Sequence, residues 1–283
     1  MNKNDERYGI AKLLPALPTL VTLSSLFCGF YSMIQSALAA SGDEVHLTKA
    51  AMAIFFAMIF DGLDGRVARL TRTQSAFGVQ IDSLADLVSF GAAPALLVYE
   101  WALAPIGIFG IIAAFLFLAC GALRLARFNV LADKQKENEQ GSLHYFIGLP
   151  IPAPAGLLAL LVLVHQQEPG AVVHDSTGVA ACVVVLAYLM VSNVRYRNFK
   201  HVPKVPLTWA LSLTLALAFS VLALVTSFWF MVLSVLAAYT VMGPTEELLL
   251  FKHRRECNDD DTLSDIQSMQ MTDSGRNKEK LEP

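Results

Sequence analysis

The chain has 283 residues, 55% of them hydrophobic and 16% charged, with a mean hydropathy of +0.51 and a formal net charge of −3. That composition excludes an ordinary water-soluble domain and marks an integral membrane chain. The net charge comes partly from an acidic C-terminal segment and gives no sign of nucleic-acid binding, while Cys28, Cys120, Cys182 and Cys257 are scattered singly, which excludes a disulfide framework and a zinc signature.

Apolar runs long enough to cross a bilayer, about 20 residues each, fall near 13–40, 49–70, 77–99, 104–128, 147–165, 177–194, 207–224 and 228–250. The expected fold is an all-α polytopic bundle of about eight transmembrane helices, forming a membrane domain over residues 1–255. Only the break at Thr226 and Ser227 divides the last two runs, and seven spans would reverse the C-terminus. The first run is too long for a signal-peptide core and lacks a convincing small-residue cleavage site, so it reads as a mature helix. All but Lys49 of the 21 Lys and Arg residues fall in 1–12, 66–72, 124–136, 195–204 and 252–280. The cytoplasmic excess of basic residues places those segments and both termini in the cytoplasm, a parity that eight spans satisfy. After Arg255 the composition turns polar, with Asp259, Asp260 and Asp261 in a row, and 256–283 reads as a disordered cytoplasmic tail. The compact, loop-poor form points to a prokaryotic inner (plasma) membrane. No internal repeat is evident.

Four aspartates interrupt these apolar runs. Asp61, Asp64, Gly65, Ala68 and Arg69 stand at steps of zero, three, four, seven and eight, which puts them on one stripe at the cytoplasmic end of the second helix. Gly78, Asp82 and Asp86, spaced by four and four, share a face of the third helix, and the turn between the helices folds the two stripes together. Four carboxylates converging in a low dielectric repel one another and take up protons unless cations compensate them. An all-oxygen donor set suits a divalent cation, Mg²⁺ or Mn²⁺. Two such ions, roughly 3.5 to 4 Å apart, would clamp both oxygens of an in-line phosphoryl displacement. Gly65 and Gly78 leave room for a diphosphate and base, and Arg69 offers a fork of donors to phosphate oxygen. A single intramembrane Asp would be equally well explained by pairing with Arg66 or Arg69, or by a proton path; four at these spacings are not.

The run from Asp61 to Asp86, 26 residues, matches D-x2-D-G-x2-A-R-x8-G-x3-D-x3-D without a gap, and it resembles the signature of the CDP-alcohol phosphatidyltransferases. The resemblance implies transfer of a phosphatidyl group from a lipid-linked CDP donor to an alcohol, with release of CMP. It also implies metal ligation by Asp61, Asp64, Asp82 and Asp86, with Asp86 doubling as the base that takes the acceptor's hydroxyl proton. Gly65, Ala68, Arg69 and Gly78 would line the CDP site, and a homodimer is expected. The chain departs from the family pattern in the first helix, where Thr19, Thr22 and Ser25 stand near positions at which relatives often carry Asn. Their hydroxyls keep hydrogen-bonding ability with less reach, so nucleotide contacts are not carried over to this helix.

Four further stretches are similar to the phosphatidylserine synthase branch: DSLADLVSFGAAPA from Asp82, RLARFN from Arg124, FIGLPIPAPA from Phe146 and SNVRYRNFK from Ser192. The implied partners are CDP-diacylglycerol and L-serine. Serine is a zwitterion and needs a cation for its carboxylate. Arg124 and Arg127, three apart on one helix face, would bind that carboxylate or the lipid phosphate, or serve simply as positive-inside anchors. Ser89 continues the Asp82 and Asp86 helix toward Pro94, where a kink would free backbone groups for a ligand, unless the segment only packs helices. Pro150, Pro152 and Pro154 disfavour regular helix at the start of the fifth run. Two alternatives stand beside this reading. One is the same chemistry with glycerol 3-phosphate, inositol phosphate or choline as acceptor. The other is a cation transporter using the aspartates as its ion site, against which the absence of repeats and paired broken helices counts.

Overall fold

The computed structural model of the chain describes residues 16–39, 44–71, 75–137, 145–167, 175–192 and 194–197, with a few more between 232 and 240. The helices are α1 (Ala16–Ala39), α2 (Glu44–Thr71), α3 (Ala76–Asp86), α4 (Ala93–Val98), α5 (Ile108–Glu137), α6 (Pro152–Gln167) and α7 (Ser176–Val191). Four stretches are long and apolar enough to cross a membrane by length and composition: Pro18–Ala39, Glu44–Val67, Phe77–Ile106 and Ile108–Ala132. Helices α6 and α7 are apolar but have 16 residues each, roughly 24 Å of rise. The expected run at 207–224 and the tail at 256–283 lie outside the described residues, and of the run at 228–250 only isolated residues are described.

Side chains sort by what a lipid-facing bundle requires. On α1 the large apolar residues Leu20, Leu23, Phe27, Phe30, Ile34 and Leu38 are exposed, whereas Thr22, Ser25, Ser32 and Ser36 are buried. Lipid tails are as apolar as leucine, so nothing drives large side chains inward, and small residues that let backbones approach take the interface. Three hydroxyl-to-carbonyl bonds then tie α1 to its neighbours. Ser32 Oγ donates to the Ala50 carbonyl at 2.8 Å, Ser25 Oγ to that of Ala57 at 3.1 Å, and Ser89 Oγ to that of Ser25 at 3.0 Å. Gly29 sits against Ser89 so closely that a Cβ there would lie 2.7 Å from the Ser89 Cα.

The third span is not a regular helix throughout. Between α3 and α4 the backbone takes a π-helical turn over Leu87–Ala92, and beyond α4 a second one over Tyr99–Leu103, then a 3₁₀ turn at Ala104–Ile106. Pro94 explains the first: its ring would clash with the carbonyl four residues back and it donates no N–H, so the preceding turn widens. Gly107, at φ 61°, then reverses the chain into α5; a left-handed conformation suits glycine there. The third run therefore extends to Ile106 rather than stopping at residue 99.

Helix α6 is apolar all round and is the centre of the bundle, with Leu158, Ala159, Leu160, Val162 and Val164 fully buried. It packs on α2 through Gly156 and Met58, where Leu236 also meets it. The fifth run begins its helix at Pro152 rather than at 147, because the prolines hold the preceding residues extended. Those residues supply the one departure from an all-helical fold among the described residues. Strand β1 (Tyr145–Ile147) pairs antiparallel with β2 (Arg195–Arg197), Phe146 opposite Tyr196. Gly148, at φ 81°, continues the contact by donating its N–H to the Val194 carbonyl at 2.9 Å.

Replacing Gly29 by Ala pushes a methyl into the Ser89 backbone, which cannot rotate away. The expected cost is about 1–3 kcal/mol, the range for overpacking, read as a lowered thermal midpoint of the detergent-solubilised protein. An unchanged midpoint would show that α1 and α3 do not approach this closely.

Candidate active site

The site is built at the junction of α2 and α3. Ser75 caps α3: its hydroxyl accepts the Gly78 N–H at 3.0 Å and its carbonyl accepts that of Val79 at 3.2 Å. A cap of this type contributes about 1 kcal/mol and fixes where α3 begins, hence the level at which Asp82 and Asp86 face α2. One carboxylate oxygen from each of Asp61, Asp64 and Asp82 lies within 4.8 Å of the others. Asp86 completes the group one helical turn beyond Asp82 on α3, its side chain lying by that of Asp61.

The donor set passes a test of fit to a cation. Asp64 is only 6% exposed. It lies by Thr22, whose hydroxyl donates to the Pro18 carbonyl at 3.1 Å, and by the Gly65 N–H, yet its Oδ2 and the Oδ1 of Asp82 are buried with no hydrogen-bond partner. Buried carboxylate oxygens without donors are costly. Hard oxygen ligands turned toward one another suit Mg²⁺ or Mn²⁺.

The remaining expected residues fall around this cluster in different ways. Gly65 is exposed, and a Cβ built on it meets no protein atom within 4 Å, so protein packing does not require a glycine there. Gly78 is part of the α3 cap. Ala68 and Arg69 follow on α2, their side chains outside the described residues. Arg124, half-buried on α5, stands 5.9 Å from the Phe128 ring centroid, and its charge acts on Asp86. Arg127 donates from a guanidinium nitrogen to the Val191 carbonyl at 3.3 Å, a favourable placement at the end of α7. Ser89 has no exposed surface and its hydroxyl is donated to Ser25.

Two contributions were not assigned from sequence. Thr22 touches Asp64 although its helix departs from the family pattern. Asn129, the last residue of RLARFN, donates to Ser83 Oγ at 2.9 Å. Its presence in that stretch was the only signal, and a polar residue at a helix end usually needs no further explanation. Arg127 of the same stretch holds Val191 at the end of α7, and Leu149 of FIGLPIPAPA reaches that helix too, its N–H donating to the Leu189 carbonyl at 3.2 Å.

The sequence profile of the CDP-alcohol phosphatidyltransferase family matches residues 15–192. The chain is 40% identical over 185 residues to the CDP-diacylglycerol–serine O-phosphatidyltransferase of Helicobacter pylori, covering 65% of this chain and 73% of that protein. It is 36% identical over 184 residues to the protein so named in Bacillus subtilis, covering 65% and 91%. The Mycobacterium tuberculosis protein of that name is 35% identical over 230 residues, covering 80% and 76%. The chain belongs to the CDP-alcohol phosphatidyltransferase family, whose members are generally dependent on divalent cations.

Mn²⁺ binding to the purified protein, followed by electron paramagnetic resonance, should weaken in Asp64→Asn and in Asp82→Asn. The loss should exceed the roughly 10- to 100-fold that removal of an outer-shell partner costs. Wild-type affinity in both variants would place the cation elsewhere.

Proposed function

We propose that this member of the family transfers the phosphatidyl group of CDP-diacylglycerol to the hydroxyl of L-serine, giving phosphatidylserine and CMP. The observation that carries the reading is the meeting of Asp61, Asp64, Asp82 and Asp86 from two helices, with partnerless buried oxygens between them. Relatives bearing the serine-transferase name supply the choice of alcohol.

Asp61, Asp64, Asp82 and Asp86 would hold the cations, two ions of Mg²⁺ or Mn²⁺. When bound, these supply positive charge to the diphosphate and to the oxygen that leaves with CMP. Gly65, Ala68, Arg69 and Gly78 receive the CDP group. The open space at Gly65 supports that assignment, because a residue the protein does not need to be small is free to be small for a ligand. Asp86 accepts the serine hydroxyl proton, and the serine oxygen attacks the lipid-side phosphorus while the bond to CMP breaks. Of Ser89, Arg124 and Arg127, the acceptor role falls to Arg124, whose charge acts on Asp86 and would draw a carboxylate on the substrate. Arg127 supports it from the end of α7, and Ser89 sets the spacing of α1 and α3.

The wider setting is proposed on the same basis. Residues 1–255 form a membrane domain of eight spans, and 256–283 a cytoplasmic tail. The basic segments place both termini and the aspartate end in the cytoplasm of an inner-membrane, multi-pass protein. There the site meets lipid laterally and serine from solution. The functional unit is a homodimer.

Purified protein given CDP-diacylglycerol and Mn²⁺ or Mg²⁺ should release CMP with serine, stop on chelation, and stay silent with glycerol 3-phosphate, inositol phosphate or choline. Turnover with one of these instead would overturn the acceptor. Asp86→Asn should lower kcat by about 10²- to 10⁴-fold, the usual contribution of a general base, while donor binding persists; near-normal kcat would remove Asp86 from that role. Gly65→Ala should keep or raise the thermal midpoint, since alanine is the better helix former by about 1 kcal/mol, yet raise KM for CDP-diacylglycerol. An unchanged KM would take Gly65 out of the donor site.

A further inference from the structure

One side-chain pair at the aspartate end has no part in the chemistry above. Asn129 Nδ2 on α5 lies 2.9 Å from Ser83 Oγ on α3, and Ser83 Oγ donates to the Val79 carbonyl at 3.1 Å. A serine hydroxyl has one hydrogen. With that hydrogen committed within α3, Ser83 can only accept, and the Asn129 amide must present its N–H₂. Both side chains thus have one consistent arrangement.

The pair lies in a seam with direction. Along α3, Asp86 follows Ser83 by one turn and shares its face. Along α5, Arg124 precedes Asn129, and its charge acts on Asp86. Residue numbers rise on one helix as they fall on the other, as antiparallel neighbours require. Farther from the aspartates the seam closes without polar groups, Leu118 lying over Gly91.

We propose that Asn129 is a positioning residue acting through Ser83: it clamps the last turn of α3 against α5 and so sets the reach between Arg124 and Asp86. The proposal rests on the phosphatidyl-transfer reading for its kinetic consequence, because Arg124 and Asp86 are the groups placed on the acceptor side. Of the four carboxylates, Asp61 and Asp64 stand on α2, which the clamp does not touch, so the cation site is disturbed less than the acceptor side.

The test compares wild type, Asn129→Ala, Ser83→Ala, the double variant and Ser83→Thr. Each alanine variant should lower kcat with serine about tenfold, the scale of a small misplacement of reacting groups. KM for CDP-diacylglycerol should stay within about twofold of wild type, and Mn²⁺ affinity should fall by less than kcat does, since Asp86 is one of four cation ligands. The double variant should be no slower than either single one, since both remove the same bond, and Ser83→Thr, which keeps the hydroxyl, should retain activity. Hydrogen exchange of residues 79–86, measured without substrate, should rise equally in Asn129→Ala and Ser83→Ala. Additive losses, or a slow Asn129→Ala beside a normal Ser83→Ala, would overturn the proposal by giving Asn129 a role of its own. Unchanged exchange would overturn it as well. If wild type releases no CMP with any alcohol, the functional reading fails alone, and the exchange comparison still decides the clamp.

Discussion

The arrangement depends on how closely three helices can approach near the middle of the bundle. Gly29 of α1 leaves room for the Ser89 backbone, Ser89 donates to the Ser25 carbonyl, and Ser25 donates to Ala57 on α2. Ser25 is therefore bonded both to α2 and to the π turn that continues α3. In an apolar medium such hydroxyl-to-carbonyl bonds have no water competing for them, although each is of modest strength. With α1 as a common backing, α2 and α3 have little freedom to separate, and mutual repulsion of their carboxylates is borne by the packing.

That repulsion also explains the division of labour between protein and ion. Asp64 has the neighbouring Gly65 N–H, and Asp86 lies by Asp61, but no side chain among the described residues reaches Asp64 Oδ2 or Asp82 Oδ1. A protein built only for stability would place a donor at each. Leaving two acceptors open keeps the site incomplete on its own and selects a ligand that brings charge rather than a hydrogen bond.

The aspartate spacing was legible because helical periodicity is local: three- and four-residue steps place side chains on one face whatever surrounds the helix. The first four spans were legible for a similar reason, since length and hydropathy are properties of each run. What was not legible depended on partners far along the chain. Ser89 read as a candidate near a substrate, and only its contact with Ser25 shows where its hydroxyl goes. Arg124 and Arg127 looked equivalent by spacing, yet the charge of one acts on Asp86 and the other holds the end of α7. The β1–β2 pairing was hidden because three-residue strands carry too little pattern to register, and prolines beside them signalled only where helix could not start.

The π-helical turns around α4 have a consequence for phase. A π turn holds an extra residue relative to an α turn, and each residue of an α-helix advances the facing direction by about 100°. Counting by three and four from Asp82 therefore loses its meaning beyond Ala92, and again beyond Leu103. The far half of this span, with Leu97, Val98, Trp101 and Ala102, is buried, and its facing direction is set by the widened turns as well as by the count from the aspartates. Pro94 thus acts as a phase shifter, letting one span turn carboxylates toward α2 at one end and a differently oriented apolar face toward the core at the other.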